Sequence, residues 1–236
     1  MSNKEFNVYL NFDDRNLSVS VFEEFNDKSF FFKKYSLINN FKKESLSIIN
    51  TEKIVEKCIL EIEKTTGLFL KDIYLMLENP KSISINLSLV RNYEGEIIKK
   101  KDIQYLIQDA KQQILRSHQD LSIAHIIVDY YIIDNKSYNN FPSEISCHNF
   151  SINIKFICFR KKIIERLEEI FNNQEINITK IICGNYAKSF NDKEMQLNIC
   201  ESGARVVQGI NKQEVVIIPK KQTKEGFFER LFHLFK

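Results

Sequence analysis

The first 36 residues contain three short runs in which apolar and polar side chains alternate. In the first run, every second residue from Phe6 to Phe12 is apolar. A period of two indicates a strand with one buried face. Polar turns at Asp13–Asn16 and Asn26-Asp27 separate this run from two others, Leu17–Phe22 and Ser29–Ser36. The pattern therefore predicts three consecutive strands joined by short turns.

The next segment has the 3.6-residue period of an amphipathic helix. Asn50 or Thr51 can cap its start, and Gly67 is placed to end it. The short apolar run Ile73–Leu77 then predicts a buried strand that stops before Asn79-Pro80. The predicted apolar face of the helix consists of Ile54, Val55, Cys58, Ile59 and Ile62.

Residues 81–160 form a second block, in which strands surround a helix. The helix is predicted at Asp102–Leu115, and a return to the first pattern follows at 161–200. We therefore expect an α/β (α+β) fold in which one mixed sheet, built from 1–80 and 161–200, is interrupted by a separate three-stranded unit. The other elements predicted in these two segments are strands at Ser82–Asn92, His125–Ile133, Phe150–Phe159 and Ile178–Cys183, and a helix at Lys162–Phe171.

The pattern weakens after Tyr186. Short strands are predicted at Leu197–Cys200, Ala204–Ile210 and Glu214–Ile218. Pro219 and a lysine-rich stretch follow, as in a linker. Residues 201–223 are therefore predicted to be an irregular tail and linker.

The last residues, 224–236, predict a short amphipathic helix. At about 100° per residue, its apolar side chains fill an arc of roughly 160° and its polar ones fill the opposite arc. The flanking sequence from Lys220 onward has a side-chain charge of +3, which suits anionic lipid. The predicted membrane-binding residues are Phe227, Phe228, Arg230, Leu231, Phe232, Leu234, Phe235 and Lys236.

Two other destinations for this helix stay open. Amphipathic helices commonly pack on the core of their own protein, and some lie in a groove of a partner. Membrane binding is favoured because the helix is terminal, follows a polar tether and contains four Phe in its last eleven residues. Since the helix is short, one copy should bind weakly, and stable attachment should need several copies on one assembly.

Composition limits which cellular compartment and which classes of partner we expect. The chain has 236 residues and a net charge of +3, so it lacks the strongly basic character of a nucleic-acid-binding domain. We find neither a signal peptide nor a run of about 20 apolar residues, which favours the cytosol. The five cysteines are dispersed, and neither they nor the histidines have the spacing of a metal site. We therefore predict no catalytic residue, metal or cofactor.

Three segments carry a resemblance to a known family. They are Asp72–Leu77, the run Lys100–Lys111 with Asp102 near its start, and His125–Asp134, which reads H-x-I-x-x-x-Y-x-I-D. With the order of elements from Val8 to Phe190, they resemble FtsA, the actin-like protein that tethers the bacterial division ring to the inner membrane. The resemblance implies a partial actin-like, RNase H-like lobe with an inserted SHS2-type subdomain. It also places the terminal helix where FtsA has its membrane-targeting helix.

The resemblance fails at the nucleotide site. FtsA binds ATP with a DIGT turn, and the segment aligned with it here is Asn11-Phe12-Asp13-Asp14. Asn11 then replaces the family's metal-side aspartate, and Asp13 replaces its glycine. A second phosphate turn, DIGGGT, has no counterpart, and most of the second actin lobe is missing. We therefore predict a degenerate phosphate turn at Asn11, Asp13 and Asp14 that binds no nucleotide.

These features favour a non-catalytic cell-division adaptor on the cytoplasmic side of the inner membrane, at the division site. The partners that the resemblance implies are FtsZ, later division proteins and other copies of the chain, together with anionic lipid of the cytoplasmic leaflet. Two alternatives stay open. One is an adaptor of pilus assembly like PilM, which shares the lobe and the inserted subdomain. The other is an ATP-binding protein of the actin superfamily, which would need phosphate-binding turns that we do not find in the sequence.

Overall fold

The computed structural model describes residues 6–23, 28–37, 48–78, 82–142, 145–191 and 197–215. Within these ranges the chain is a mixed α/β protein, as predicted, and no helix is long and apolar enough to span a membrane. The strands are β1 Phe6–Phe12, β2 Asn16–Glu23, β3 Phe31–Ser36, β4 Asp72–Leu77, β5 Ile83–Asn92, β6 Ile97–Ile98, β7 Leu121–Ile133, β8 Lys136–Tyr138, β9 Ile145–Ser146, β10 Asn149–Arg160 and β11 Asn177–Cys183. The helices are α1 Ile48–Thr66, α2 Lys100–Ser117, α3 Lys161–Asn172, α4 Gly184–Lys188 and α5 Ile199–Val207.

Five strands form the first sheet, in the order β11-β4-β1-β2-β3. β2 pairs antiparallel with both β1 and β3, whereas β4 runs parallel to β1 and β11 runs parallel to β4. Parallel neighbours need crossover connections, which α1 and α3 supply. This is the mixed sheet expected from the sequence.

Both faces of the first sheet are covered. On one face, α1 and α3 pack their apolar stripes against alternate residues of the strands, which form a core that includes Leu10, Ile62 and Phe171. On the other face, α4 and α5 cover Tyr9 and Met76. Because both faces are buried, β1 is buried from Val8 to Phe12, rather than at every second residue only.

The inserted unit is a four-stranded antiparallel sheet in the order β5-β10-β7-β8. One face packs on α2, whose buried residues Ile103, Leu106, Ala110 and Ile114 match the predicted inward face. The opposite face is polar along β5 and β10, where Ser88 and Ser151 lie within hydrogen-bonding distance. The predicted separate unit is thus present, with β8 added as a fourth strand. Its classification as an SHS2-type subdomain and the domain boundaries stay predictions.

The prediction for the tail is wrong at residues 199–207. These residues form helix α5, not the strands Leu197–Cys200 and Ala204–Ile210 or the start of an irregular tail. Asn198 and Glu201 form a capping box, in which each side chain accepts a hydrogen bond of 3.0 Å from the other's backbone N–H. Gly203 lets α5 approach β4 closely, because a Cβ there would lie 2.4 Å from the sulfur of Met76. Residues 216–236, which include the end of the predicted strand Glu214–Ile218 and the C-terminal helix, lie outside the described ranges.

Candidate functional site

The carboxyl ends of the parallel strands β1, β4 and β11 meet at one edge of the first sheet. A polar pocket of about 440 Å³ opens there. This edge is where open α/β sheets commonly bind ligands. The pocket is lined by Asp13, Asp14, Arg15, Glu78 and Asn185.

The turn between β1 and β2 is closed by its own aspartate. Oδ1 of Asp13 accepts hydrogen bonds from the backbone N–H groups of Arg15, at 2.7 Å, and Asn16, at 2.8 Å. It also lies 3.1 Å from the side-chain amide of Asn16. Successive backbone amides of this kind form an anion-binding nest in phosphate-binding turns. Here the carboxylate of Asp13 already occupies the position of the anion.

Asn11 and Glu78 are hydrogen-bonded to each other at the same sheet edge. The fully buried Asn11 donates from Nδ2 to Oε1 of Glu78 at 2.8 Å. Glu78 also forms an ion pair with Lys188 of α4. Gly184 is required at the start of α4, because a Cβ there would lie 2.5 Å from Cγ of Glu78. Asn11 thus contacts the pocket lining by donating to the carboxylate of Glu78.

The charge of this edge disfavours a polyphosphate. Asp13, Asp14 and Glu78 contribute three carboxylates, against the side chains of Arg15 and Lys188. A triphosphate would face like charges where phosphate-binding turns offer free amides. The structure places Asn11, Asp13 and Asp14 at this edge, and the absence of nucleotide binding stays a prediction. Among the described residues, no group of three or more His, Cys, Asp or Glu side chains could hold a metal ion.

A buried polar cluster lies where the two large sheets meet. His125 of β7 is 1% exposed, and its Nδ1 lies 2.8 Å from Oε1 of Glu214. Its Nε2 accepts a hydrogen bond of 2.8 Å from the backbone N–H of Cys183, at the end of β11. Because Nε2 accepts, the ring proton is on Nδ1 and is donated to Glu214. Both ring nitrogens are therefore engaged, and neither is free to act as a base on a substrate.

Glu214 is the central acceptor of this cluster. Lys180 Nζ lies 3.3 Å from its Oε1, and the hydroxyl of Tyr186 donates to its Oε2 at 3.0 Å. Asn211 in turn donates to the Tyr186 hydroxyl at 2.8 Å. Burial acts to raise the pKa of Glu214, but the hydrogen bond from His125 and the charge of Lys180 outweigh it, and the pKa is lowered. The carboxylate thus stays ionised beneath the surface.

Residues 213–215 pair with the middle of β7. Val128 donates its N–H to the carbonyl of Gln213 at 3.0 Å, and Val215 donates to the carbonyl of Ile126 at 2.8 Å. Together with the Glu214 side chain, these bonds tie the segment after α5 to both sheets. The sequence analysis missed the cluster, because its members are up to 89 residues apart and their pattern has no local signature.

The predicted membrane-binding residues cannot be placed in this arrangement. The residues in question, Phe227, Phe228, Arg230, Leu231, Phe232, Leu234, Phe235 and Lys236, all lie outside the described residues.

Comparison with known proteins gives weak structural likenesses. No family model matches the chain, and no curated protein sequence is similar to it. One similar solved structure is the cytoplasmic domain of EpsL, an inner membrane component of the type II secretion system of Vibrio cholerae, with 8% identity and a TM-score of 0.34. Another is a Bacteroides thetaiotaomicron protein with an actin-like ATPase fold and unknown function, with 14% identity and a TM-score of 0.32.

The matches cover 78% and 79% of this chain but only 57% and 56% of those two chains. The chain therefore corresponds to little more than half of either protein.

Proposed function

We propose that this protein is a non-catalytic, membrane-associated adaptor that resembles a shortened FtsA. In this proposal, the actin-like lobe serves as a scaffold and does not turn over nucleotide. The inserted unit offers surfaces to other proteins, and the predicted helix 224–236 holds the molecule against the cytoplasmic leaflet of the inner membrane.

The β1–β2 turn carries the non-catalytic part of this proposal. An actin-like lobe that hydrolyses ATP needs free backbone amides and a metal-side carboxylate at this edge. Here Asp13 binds the amides of its own turn, and Asn11 stands where the resemblance expects the carboxylate. The amides of the turn are thus engaged by the chain's own carboxylate.

The membrane part rests on the sequence of residues 224–236. Six large apolar side chains set an upper limit of about 1.5–3 kcal/mol each for their burial in lipid. The cost of ordering a short helix removes much of this gain. Attachment through one copy is therefore reversible, and it strengthens when several copies are joined in one assembly.

The first test is the binding of nucleotide. We expect calorimetric titration of the folded chain with Mg-ATP to show no saturable heat at micromolar concentrations, because three carboxylates line the edge. A matched variant, Asp13→Gly, frees the turn amides and removes one negative charge, so any residual affinity for phosphate should rise in this variant. Saturable micromolar binding by the wild-type chain contradicts the non-catalytic proposal.

The division role is tested in dividing cells. The resemblance to FtsA leads us to expect that a fluorescent fusion at the N-terminus, which leaves the terminal helix free, forms a band at midcell. FtsZ and later division proteins are the proposed partners there. A uniform membrane signal, or foci at the poles as expected for an adaptor of pilus assembly, contradicts the division role but not membrane attachment.

A further inference from the structure

The two large sheets have four outer edges, and three of them are protected. The β3 edge carries the charged residues Lys33 and Lys34, and Lys33 forms an ion pair with Glu61 of α1. The β11 edge lies against β7, where His125 binds the amide of Cys183. Such charges and covering elements are the usual means by which proteins prevent edge strands from pairing with another chain.

The sheet of the inserted unit has one protected edge and one free edge. Beyond β7, the sheet is closed by β8 at residues 131–133 and by residues 213–215 at 126–128. At the opposite end, β5 pairs with β10 and with no other strand among the described residues. Its ten residues contain no proline, and no charged residue precedes Arg91. The β5–β10 register is continuous, whereas the β10–β7 register has two shifts. The β5 edge is therefore long and regular, and it is uncharged from Ile83 to Val90.

The backbone groups of the even-numbered residues point away from β10. Tyr93 donates its N–H to the carbonyl of His148 on the β10 side at 2.8 Å. In an antiparallel pair, bonding residues alternate along the strand. The odd-numbered residues of β5 therefore bond to β10, and Ser84, Asn86 and Ser88 present their N–H and C=O groups to the free edge.

The apolar side chains of β5 are incompletely buried. Ile83, Ile85, Leu87 and Leu89 face α2 and are each only partly covered. Their neighbours on the same face of β10, from Phe150 to Phe156, are at most 1% exposed. A further strand beside β5 would complete this core as well as the backbone ladder.

We propose that the β5 edge binds the β5 edge of a second copy, antiparallel and across a two-fold axis through Asn86. In this register, Ile83 lies opposite Leu89 and Ile85 lies opposite Leu87, while Ser84 lies opposite Ser88. Apolar residues thus meet apolar residues on the α2 side, and small polar residues meet on the other side. The outward groups of Ser84, Asn86 and Ser88 in the two copies form about six new hydrogen bonds. Arg91 lies beyond these pairs.

The self-matching sequence of β5 is the reason for choosing a second copy over another protein. A two-fold interface requires that one surface be complementary to itself. Shifting the axis to Leu87 would place Arg91 opposite Ile83, so the axis at Asn86 is preferred. The inference goes beyond the proposed function and does not depend on it, although a dimer would supply part of the avidity that a weak membrane helix needs.

Cysteine cross-linking tests this register. All five native cysteines are buried, so a cysteine introduced on β5 reacts alone. Asn86→Cys places two thiols opposite each other, with Cα atoms about 5.5 Å apart, which a disulfide can bridge. Ser84→Cys and Ser88→Cys lie about 13 Å from their own copies. We expect Asn86→Cys to cross-link with itself, and the two serine variants to cross-link only when mixed.

Molecular mass provides a second measurement. We expect light scattering of the wild-type chain to give twice 27.9 kDa. Asn86→Pro removes an outward N–H without breaking a bond to β10 and should give the monomer, whereas Asn86→Ala should remain dimeric. A monomeric wild-type chain overturns the proposal, as does equal self-cross-linking of Ser84→Cys and Asn86→Cys. If Asn86→Pro fails to fold, the cross-linking pattern decides.

Discussion

Replacing Glu214 with alanine should destabilise the protein by about 2–6 kcal/mol, because two donors beneath the surface would each lose their acceptor at about 1–3 kcal/mol. The side chain of Glu214 is 6% exposed and accepts from His125 and Tyr186, and Lys180 lies beside it. Without the carboxylate, His125 and Tyr186 lose their acceptor beneath the surface, and the half-buried Lys180 loses its ion pair. Chemical denaturation monitored by circular dichroism measures this loss. Hydrogen exchange at the Val128 amide, which donates to Gln213, reports whether residues 213–215 leave β7 first.

Two control variants separate burial from charge. Glu165 forms an exposed ion pair of 3.6 Å with Lys161, one turn away on α3, so Glu165→Ala should cost less than about 0.5 kcal/mol. Glu214→Gln keeps the shape and one acceptor but loses the charge, so it should cost about 1–3 kcal/mol. Equal effects of Glu214→Ala and Glu165→Ala would contradict the role of the cluster.

The same carboxylate makes stability depend on pH. The pKa of Glu214 is lowered from its ordinary value of 4.5, because the hydrogen bond from His125 and the charge of Lys180 together outweigh burial. A lowered pKa means that the unfolded state binds the proton more readily than the folded state. The stabilisation is therefore fully present above about pH 4.5 and is lost as the pH falls through the folded pKa. Glu214→Gln should flatten this part of the stability curve.

Much of the fold could be predicted, because its elements follow local periodicities. The helical stripe of α2 depends only on which face is buried, and the alternation in Phe6–Phe12 identified a strand although both of its faces are covered. Helix α5 was missed for a different reason. Its short apolar runs resemble strands, and the deciding signal was the capping box formed by Asn198 and Glu201, three residues apart.

The β1–β2 turn could be predicted from the sequence, whereas the cluster around Glu214 could not. Asn11, Asp13 and Asp14 are close together in the chain, so an alignment with one turn was enough to predict a changed chemistry. The contact between His125 and Glu214 depends on how β7, β11 and residues 211–215 are arranged in space. No local pattern encodes that arrangement, and the sequence analysis placed Glu214 in a weak strand.

Replacing Phe232 with glutamate should reduce binding to anionic vesicles at least tenfold. Phe232 lies on the apolar arc of the predicted helix 224–236. A carboxylate there loses the burial of a phenyl ring, about 1.5–3 kcal/mol, and also opposes entry into the acyl region. Since the affinity of a single helix is already weak, this loss should leave little bound protein. Co-sedimentation with vesicles that contain anionic lipid measures the bound fraction.

A matched variant adds the same charge to the other side of the helix. His233 lies on the polar arc, so His233→Glu should weaken binding only by the loss of attraction to anionic lipid, about 1 kcal/mol per charge near the surface. This effect should fade at high salt because the attraction is screened. The effect of Phe232→Glu should persist at high salt because it arises from apolar burial.

Co-sedimentation of the wild-type chain, Phe232→Glu and His233→Glu with the same vesicles tests the membrane-adaptor proposal most directly. We predict that the wild-type chain sediments with the vesicles. His233→Glu should sediment with a modest loss at low salt and like the wild-type chain at high salt, and Phe232→Glu should stay in the supernatant while unfolding at the wild-type denaturant concentration. If Phe232→Glu sediments like the wild-type chain but unfolds more readily, the terminal helix is part of the protein core, and the proposal of membrane attachment is wrong.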